Sequence, residues 1–300
     1  MRRILVTGGT TFVSRYTAEY FTRLGDEVYV LNRGTRPQSP GVHHICADRH
    51  ALGDVLKGCR FDAVLDICAY TGADIDALLD GLGQFDTYIM ISSSAVYPET
   101  APQPFAEETL AGPNSIWGAY GTSKIDAENR LQSRVPEAYI LRPPYIYGPM
   151  QNVYREPYAF ECAEQGRIFR LPGDGGMKLQ FLHVADLCRF METLLRKKPA
   201  HRIYNVGNGE SVTAAQWARL CYEAVGVPFA AVGVGDVHPQ RAYFPFHDYE
   251  YALDVTKQSA LLPETVPLLQ GLRESWAWFR EHREGVNRKP MIAYIDENGI

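Results

Sequence analysis

Along the first half of the chain, short β-branched and apolar runs alternate with stretches in which apolar side chains recur every three or four positions. Runs of the first kind predict buried strands, and recurrence of the second kind predicts amphipathic helices. The strand candidates are Ile4–Thr7, Glu27–Leu31, Val42–Cys46, Ala63–Cys68, Thr87–Ser92 and Ala138–Leu141. Between them, Thr11–Leu24, Ala51–Leu56, Ala73–Leu82 and Tyr120–Gln132 read as helices. Repeated β–α–β units predict an α/β fold with a doubly wound parallel sheet, whose ligands bind beyond the C-terminal strand ends. After Pro149 the alternation weakens, and Gly173-Asp174-Gly175-Gly176 predicts a flexible turn before Gln180-Phe181-Leu182-His183-Val184. A smaller second lobe is expected there, with helices at Val184–Arg196, Thr213–Val225 and Val266–Glu284 and a strand at Ile203–Val206 that returns to the main sheet. The expected division is therefore 1–150 for the sheet domain and 151–300 mainly for the second lobe. The tail Lys289–Ile300 has no periodicity and reads as loosely ordered.

Composition narrows the picture. The 300 residues are 46% hydrophobic, enough for a large core. No run approaches the roughly 20 apolar residues that span a bilayer. The N-terminus reaches Gly8-Gly9 too soon for a secretory apolar segment, so a cytoplasmic location without a membrane partner is expected. The six cysteines, Cys46, Cys59, Cys68, Cys162, Cys188 and Cys221, show no close pairing and read as free thiols, several of them buried. A net charge of −5 with a pI near 5.9 argues against a broad phosphate-binding surface, which disfavours nucleic acid as a partner. His43-His44, His238 with His247, and His282 with Glu284 do not give three convergent ligands, and no metal is expected.

The chemistry begins at the first strand, which runs into Thr7-Gly8-Gly9-Thr10-Thr11-Phe12-Val13-Ser14 and then a helix. Two glycines allow a tight turn, and unpaired N–H groups at the helix start suit the pyrophosphate of a dinucleotide. Thr11 and Ser14 stand where the usual fingerprint has later glycines, so the motif is incomplete. The second strand ends in Leu31-Asn32-Arg33-Gly34, without the carboxylate that holds the ribose of NAD. Arg33, helped by Arg36, could pair with a 2′-phosphate instead, which leans the NAD(P) expectation toward NADP. Asp48 is a candidate partner for adenine, or equally a cap for the next helix. The expected cofactor contacts are Gly8, Thr10, Thr11, Phe12, Asn32, Arg33, Asp48 and Ala69, together with Tyr120 and Lys124.

Tyr120 and Lys124 lie four residues apart, hence on one face of their helix. The preceding strand ends in Ile91-Ser92-Ser93-Ser94-Ala95-Val96-Tyr97, which brings hydroxyls to the C-terminal edge of the sheet. A free tyrosine titrates near about pH 10, but a neighbouring ammonium and a cationic nicotinamide stabilise its phenolate. Tyr120 is then expected to exchange a proton with a carbinol while nicotinamide exchanges the hydride, with Ser93 orienting the same oxygen. Ser94, Tyr145, Gln180 and Arg241 are the candidate substrate contacts. Arg241 is the best remaining cation for a phosphate or carboxylate. The run Tyr243-Phe244-Pro245-Phe246 reads either as a pocket wall or as core.

Taken together, Thr7-Gly8-Gly9, Ser92 to Tyr97, Tyr120 to Lys124, Leu141-Arg142-Pro143, Tyr147-Gly148-Pro149, His183-Val184-Ala185-Asp186 and Tyr204-Asn205-Val206-Gly207 resemble the extended short-chain dehydrogenase/reductase family, in its NAD(P)-dependent epimerase/dehydratase group. The resemblance spans most of the chain. It implies a Rossmann-type fold, catalytic roles for Ser93, Tyr120 and Lys124, a small-molecule substrate such as a sugar nucleotide, and homodimers joined through the Tyr120 helix and the helix before it. There are departures. Tyr145 stands where 4-epimerases usually carry Asn, and Leu179 where they usually carry an Arg for the nucleotide diphosphate. Ser94-Ala95 replace the Asp-Glu pair of the dehydratases, which disfavours water elimination. Thr7 to Thr10, Asn32-Arg33-Gly34, Arg142-Pro143-Pro144-Tyr145 and Phe244-Pro245-Phe246 look closer to an atypical branch that includes chloroplast stem-loop RNA-binding proteins. The rival expectation is therefore an RNA-binding or scaffolding protein on the same fold.

Overall fold

The structure is a computed structural model describing residues 1–300. The chain opens as β1 (Arg3–Thr7), α1 (Phe12–Arg23), β2 (Glu27–Asn32), β3 (His43–Cys46), β4 (Arg60–Asp66), α2 (Gly72–Gly81), β5 (Gln84–Ile91), α3 (Ala119–Arg134) and β6 (Tyr139–Arg142). It continues with β7 (Tyr145–Tyr147), α4 (Glu156–Glu164), β8 (Phe169–Pro172), β9 (Lys178–Leu179), β10 (Phe181–His183), α5 (Val184–Lys197) and β11 (Ile203–Asn205). The last elements are β12 (Val212–Thr213), α6 (Ala214–Val225), β13 (Ala231–Val234), α7 (Gln240–Tyr243), α8 (Thr256–Leu261), α9 (Leu268–Glu281) and α10 (Met291–Asn298).

Seven strands form one parallel sheet in the order β11-β6-β5-β4-β1-β2-β3, the doubly wound Rossmann-type α/β fold. The centres of β1, β4, β5 and β6 are apolar on both faces, as a sheet covered by helices on both sides requires, while the edge strand β3 is largely exposed. One apolar cluster joins Leu5, Val64, Met90 and Ile140 of the strands to Ile75 and Leu78 of α2 and Ala127 and Leu131 of α3. The order reverses at β1 and β4, so the C-terminal ends of these two strands mark the ligand crevice.

The chain divides into two compact units. The first comprises Met1–Pro144, Ala185–Gly207 and Leu253–Glu264 and carries the seven-stranded sheet. The second comprises Tyr145–Val184, Asn208–Ala252 and Thr265–Ile300, with parallel pairs β7/β10 and β8/β13 and an antiparallel pair β9/β12. No helix is long and apolar enough to cross a membrane.

Three local expectations are corrected. The helix expected at Ala51–Leu56 does not form; Asp48 caps a single 3-10 turn at Arg49–Ala51, and the chain then loops to β4. The helix expected in the second lobe at Val184–Arg196 is α5, which belongs almost wholly to the first unit, where Cys188 and Glu192 meet Thr17 and Tyr20 of α1. It is the crossover that delivers β11 to the edge of the main sheet beside β6. The tail is ordered as α10, held by the burial of Met291 and Ile295, an i,i+4 pair too short to register as periodicity.

Candidate active site

At the end of β1, the Thr7 hydroxyl donates to Asp66 Oδ1 at 2.7 Å and accepts from the N–H groups of Ile67 and Cys68 at 3.0 and 3.1 Å. One side chain thereby ties the ends of the two strands that flank the crevice. Asp66, fully buried, also accepts from Arg49 Nη2 at 2.8 Å and from the Tyr88 hydroxyl at 2.6 Å. Gly8 and Gly9 follow at φ +89° and +86°. A Cβ at Gly8 would stand 2.8 Å from Cys68 Sγ and Ser14 Oγ, and one at Gly9 would stand 2.7 Å from Val30 Cβ, so both turn residues must be glycine.

Helix α1 opens from Thr11, which makes no side-chain cap bond, while the Ser14 hydroxyl donates backward to Thr11 O at 2.9 Å. Its leading N–H groups are thus left uncapped by any side chain, and Ser14 in place of a third glycine does not fill that role. An uncapped helix start behind a two-glycine turn fits a pyrophosphate. Thr10 lies in this turn, and Phe12 is the first helical residue, nearly buried at φ +36°. Asn32 braces the turn from β2: its Nδ2 donates to Gly8 O at 2.6 Å, and its Oδ1 accepts from Gly34 N at 2.9 Å. Arg33 beside it is exposed. The Asp48 carboxylate accepts from His50 N at 2.9 Å, the capping alternative.

Lys124 is 3% exposed, and its ammonium donates to Ala69 O at 2.6 Å and Ile91 O at 2.9 Å. It thus bridges the segment after β4 to the end of β5. Burial draws its proton affinity down to about 8, against the attraction of Asp66 and other acidic groups. The Tyr70 ring lies 4.7 Å from the same ammonium, and its centroid is 6.5 Å from that of Tyr120. Tyr120, one turn before Lys124, is 41% exposed. Ser93 caps the short 3-10 turn Ser94–Val96, its Oγ accepting from Ala95 N at 3.2 Å, and Ser94 N donates to Pro143 O at 2.9 Å. Helix α3 comes close to this turn because residue 121 is glycine; a Cβ there would stand 2.4 Å from Ala95 O. Ser93, Tyr120 and Lys124 therefore ride on elements in direct contact.

Sequence reasoning missed three partners here: Tyr70, the Arg49–Asp66 pair, and the anchor of α3. In that anchor, Glu128, 3% exposed, accepts from Arg142 Nε at 3.0 Å and Nη2 at 2.5 Å, and from the Ser92 hydroxyl at 2.5 Å. Glu128 follows Lys124 by four residues, a spacing that placed it on the buried face of the helix and could have exposed it.

The other expected contacts, Tyr145, Gln180 and Arg241, belong to the second unit. Gln180 is buried and donates to Asn208 O at 2.9 Å. Phe244 and Phe246 are core: both are fully buried, and Phe246 packs on Trp217 and Tyr145 at 4.9 and 4.8 Å. Arg155 lies 5.4 Å from the centre of the Tyr145 ring. Arg241 is held below its ordinary proton affinity by burial and by Arg155; Lys289 by burial and by Arg241; His247 by burial, Arg241 and Lys289. None of Arg155, Arg241 and Lys289 makes an ion pair, whereas Arg167, Arg283 and Arg288 of the same unit pair with Asp296, Glu164 and Glu161. The buried Glu156 feels the charge of Arg155, but three cations against this one carboxyl still suit an anionic ligand.

The model of the NAD dependent epimerase/dehydratase family matches residues 75–207. The chain is 28% identical over 305 residues to the chloroplast stem-loop binding protein of 41 kDa b of Arabidopsis thaliana, covering 92% of this chain and 78% of that protein. It is 25% identical to a dTDP-glucose 4,6-dehydratase of Streptomyces niveus, over 94% of each chain. The crystal structure of the dTDP-glucose 4,6-dehydratase of Streptomyces venezuelae, solved with NAD bound, superposes with a TM-score of 0.75 at 22% identity, covering 95% of this chain and 99% of that one. With its parallel sheet, two-glycine turn and Tyr120/Lys124 helix, the chain shares the fold of this solved structure, and over residues 75–207 it is similar to the NAD dependent epimerase/dehydratase family.

Proposed function

We propose that the protein is an NAD(P)-dependent enzyme that moves a hydride and a proton at a carbinol carbon of a nucleotide-sugar or similar anionic sugar-like substrate. The observation that carries this reading is the Lys124 ammonium, buried and tethered to Ala69 O and Ile91 O one helical turn from the exposed Tyr120. Gly8, Thr10, Thr11 and Phe12 would hold the pyrophosphate, and Asn32, Arg33, Asp48 and Ala69 would line the remainder. The bound cofactor supplies the hydride acceptor.

This chain's residues handle the proton. The Tyr120 phenolic oxygen takes it from the substrate hydroxyl or returns it, the field of Lys124 favours the phenolate, and the Ser93 hydroxyl orients the reacting oxygen. Arg155, Arg241 and Lys289 are suited to the substrate's anionic part, where Leu179 cannot serve. With Ser94-Ala95 after Ser93 there is no carboxyl for water elimination, which favours epimerisation or net oxidoreduction. Homodimerisation through α2 and α3 is part of this reading.

Asn32-Arg33 in place of a ribose-binding carboxylate supports a preference for NADP. Titration by nicotinamide fluorescence is expected to give tighter binding of NADPH than of NADH, with the difference reduced by Arg33→Ala; tighter NADH binding untouched by that change would refute the preference. Mass spectrometry of small molecules released from the purified protein would identify the substrate class. The similarity to a stem-loop binding protein favours RNA binding as the second reading. At a net charge of −5, RNA retention on filters is expected to be weak and steeply salt-dependent; tight retention that survives Tyr120→Phe would promote that reading.

A further inference from the structure

An ammonium has three N–H donors and accepts nothing. In Lys124 two of them end on Ala69 O and Ile91 O, and the side of the ammonium toward Tyr70 is covered by that ring at 4.7 Å. The group is 3% exposed and shielded from solvent. Any hydroxyl that Lys124 is to hold must therefore replace one of these three neighbours. Ile91 O ends a central strand, and Ala69 O lies in the segment pinned by the bond of Tyr70 N to Asp74 Oδ2 at 2.9 Å. The Tyr70 side chain is different: it is 52% exposed, and burial raises its phenol to about 12, so the ring is neutral and bound only by contact. It is the neighbour that can leave.

We propose that Tyr70 is a gate on Lys124: its ring occupies the side of the ammonium that a dinucleotide must reach, and cofactor binding has to swing the ring away. This inference rests on the cofactor reading above. It also accounts for a large half-exposed aromatic standing beside Tyr120 at the end of β4, where the crevice opens.

The full-length protein and its Tyr70→Ala and Tyr70→Phe forms test it by two readouts. The first is acylation of Lys124 by a small amine-reactive ester, followed by peptide mass spectrometry. The second is NADPH and NADH titration. Tyr70→Ala is expected to speed labelling of Lys124 several-fold and to tighten dinucleotide binding by about threefold to thirtyfold, the range for removing a competing cation–π contact. Tyr70→Phe, which keeps the ring, should match the wild type in both. Labelling that is unchanged in Tyr70→Ala, or dinucleotide binding that is equal or weaker, would overturn the gate while leaving the cofactor reading standing. Failure of every form to bind either dinucleotide would instead remove the cofactor reading, and the gate with it.

Discussion

Tyr120→Phe removes one oxygen and keeps a ring that is already 41% exposed, so the far-ultraviolet circular dichroism and cofactor binding should be unchanged. Turnover on the natural substrate should fall by about 10²–10⁴-fold, the usual worth of a positioned acid–base group. Near-normal turnover would rule out Tyr120 as the proton carrier. A second titratable side chain bears on stability alone. Glu156 is 1% exposed; its Oε2 accepts from Gln151 Nε2 at 3.3 Å, and its Oε1 has no partner. Burial raises its proton affinity above the ordinary value of 4.5, so the folded state favours the neutral acid. Its stabilising contribution is therefore present in full below the unfolded value and is lost as pH rises through the folded one. Each pH unit between the two values is worth about 1.4 kcal/mol. Glu156→Gln should accordingly raise the thermal midpoint clearly at pH 8 and hardly at pH 4.5, and an equal change at both pH values would contradict this account.

At the scale of elements, α3 is the part on which the proposed chemistry depends. It starts from Gly118 at φ +52°, passes within reach of Ala95 only because of Gly121, and is fixed at mid-length by Glu128. The Glu128–Arg142 pair is buried on both sides, and Arg142 Nη1 donates onward to the Tyr97 hydroxyl at 2.9 Å. Burial of such a pair is expensive, and removing one partner strands the other charge. Glu128→Ala should cost about 3–5 kcal/mol in urea unfolding, as expected for an uncompensated buried arginine. A loss below about 1 kcal/mol would mean that α3 is held by its apolar contacts through Ala127 and Leu131 instead.

At the scale of the whole molecule, the alternation of strand and helix patterns determined the parallel sheet, because strands covered on both faces must be apolar throughout and the helices between them must show one apolar stripe. The two-glycine turn, the hydroxyl-rich end of β5 and the four-residue spacing of Tyr120 and Lys124 were legible for the same reason: each is set by local geometry. Short-range patterns could not show that α5 joins the sheet-bearing unit, since that depends on where β11 pairs, or that α10 is held by only two buried side chains. Nor could they show that Asn32 is spent on Gly8, that Phe244 and Phe246 are core, or that Arg155, Arg241 and Lys289 come within reach of one another's charge. The placement of Tyr70 over Lys124 joins residues 54 positions apart on different elements. The sequence by itself determined which elements form and which residue types stand at the strand ends; tertiary packing alone decided which side chains meet, because burial and hydrogen-bond partners are properties of the closed chain rather than of its local periodicity.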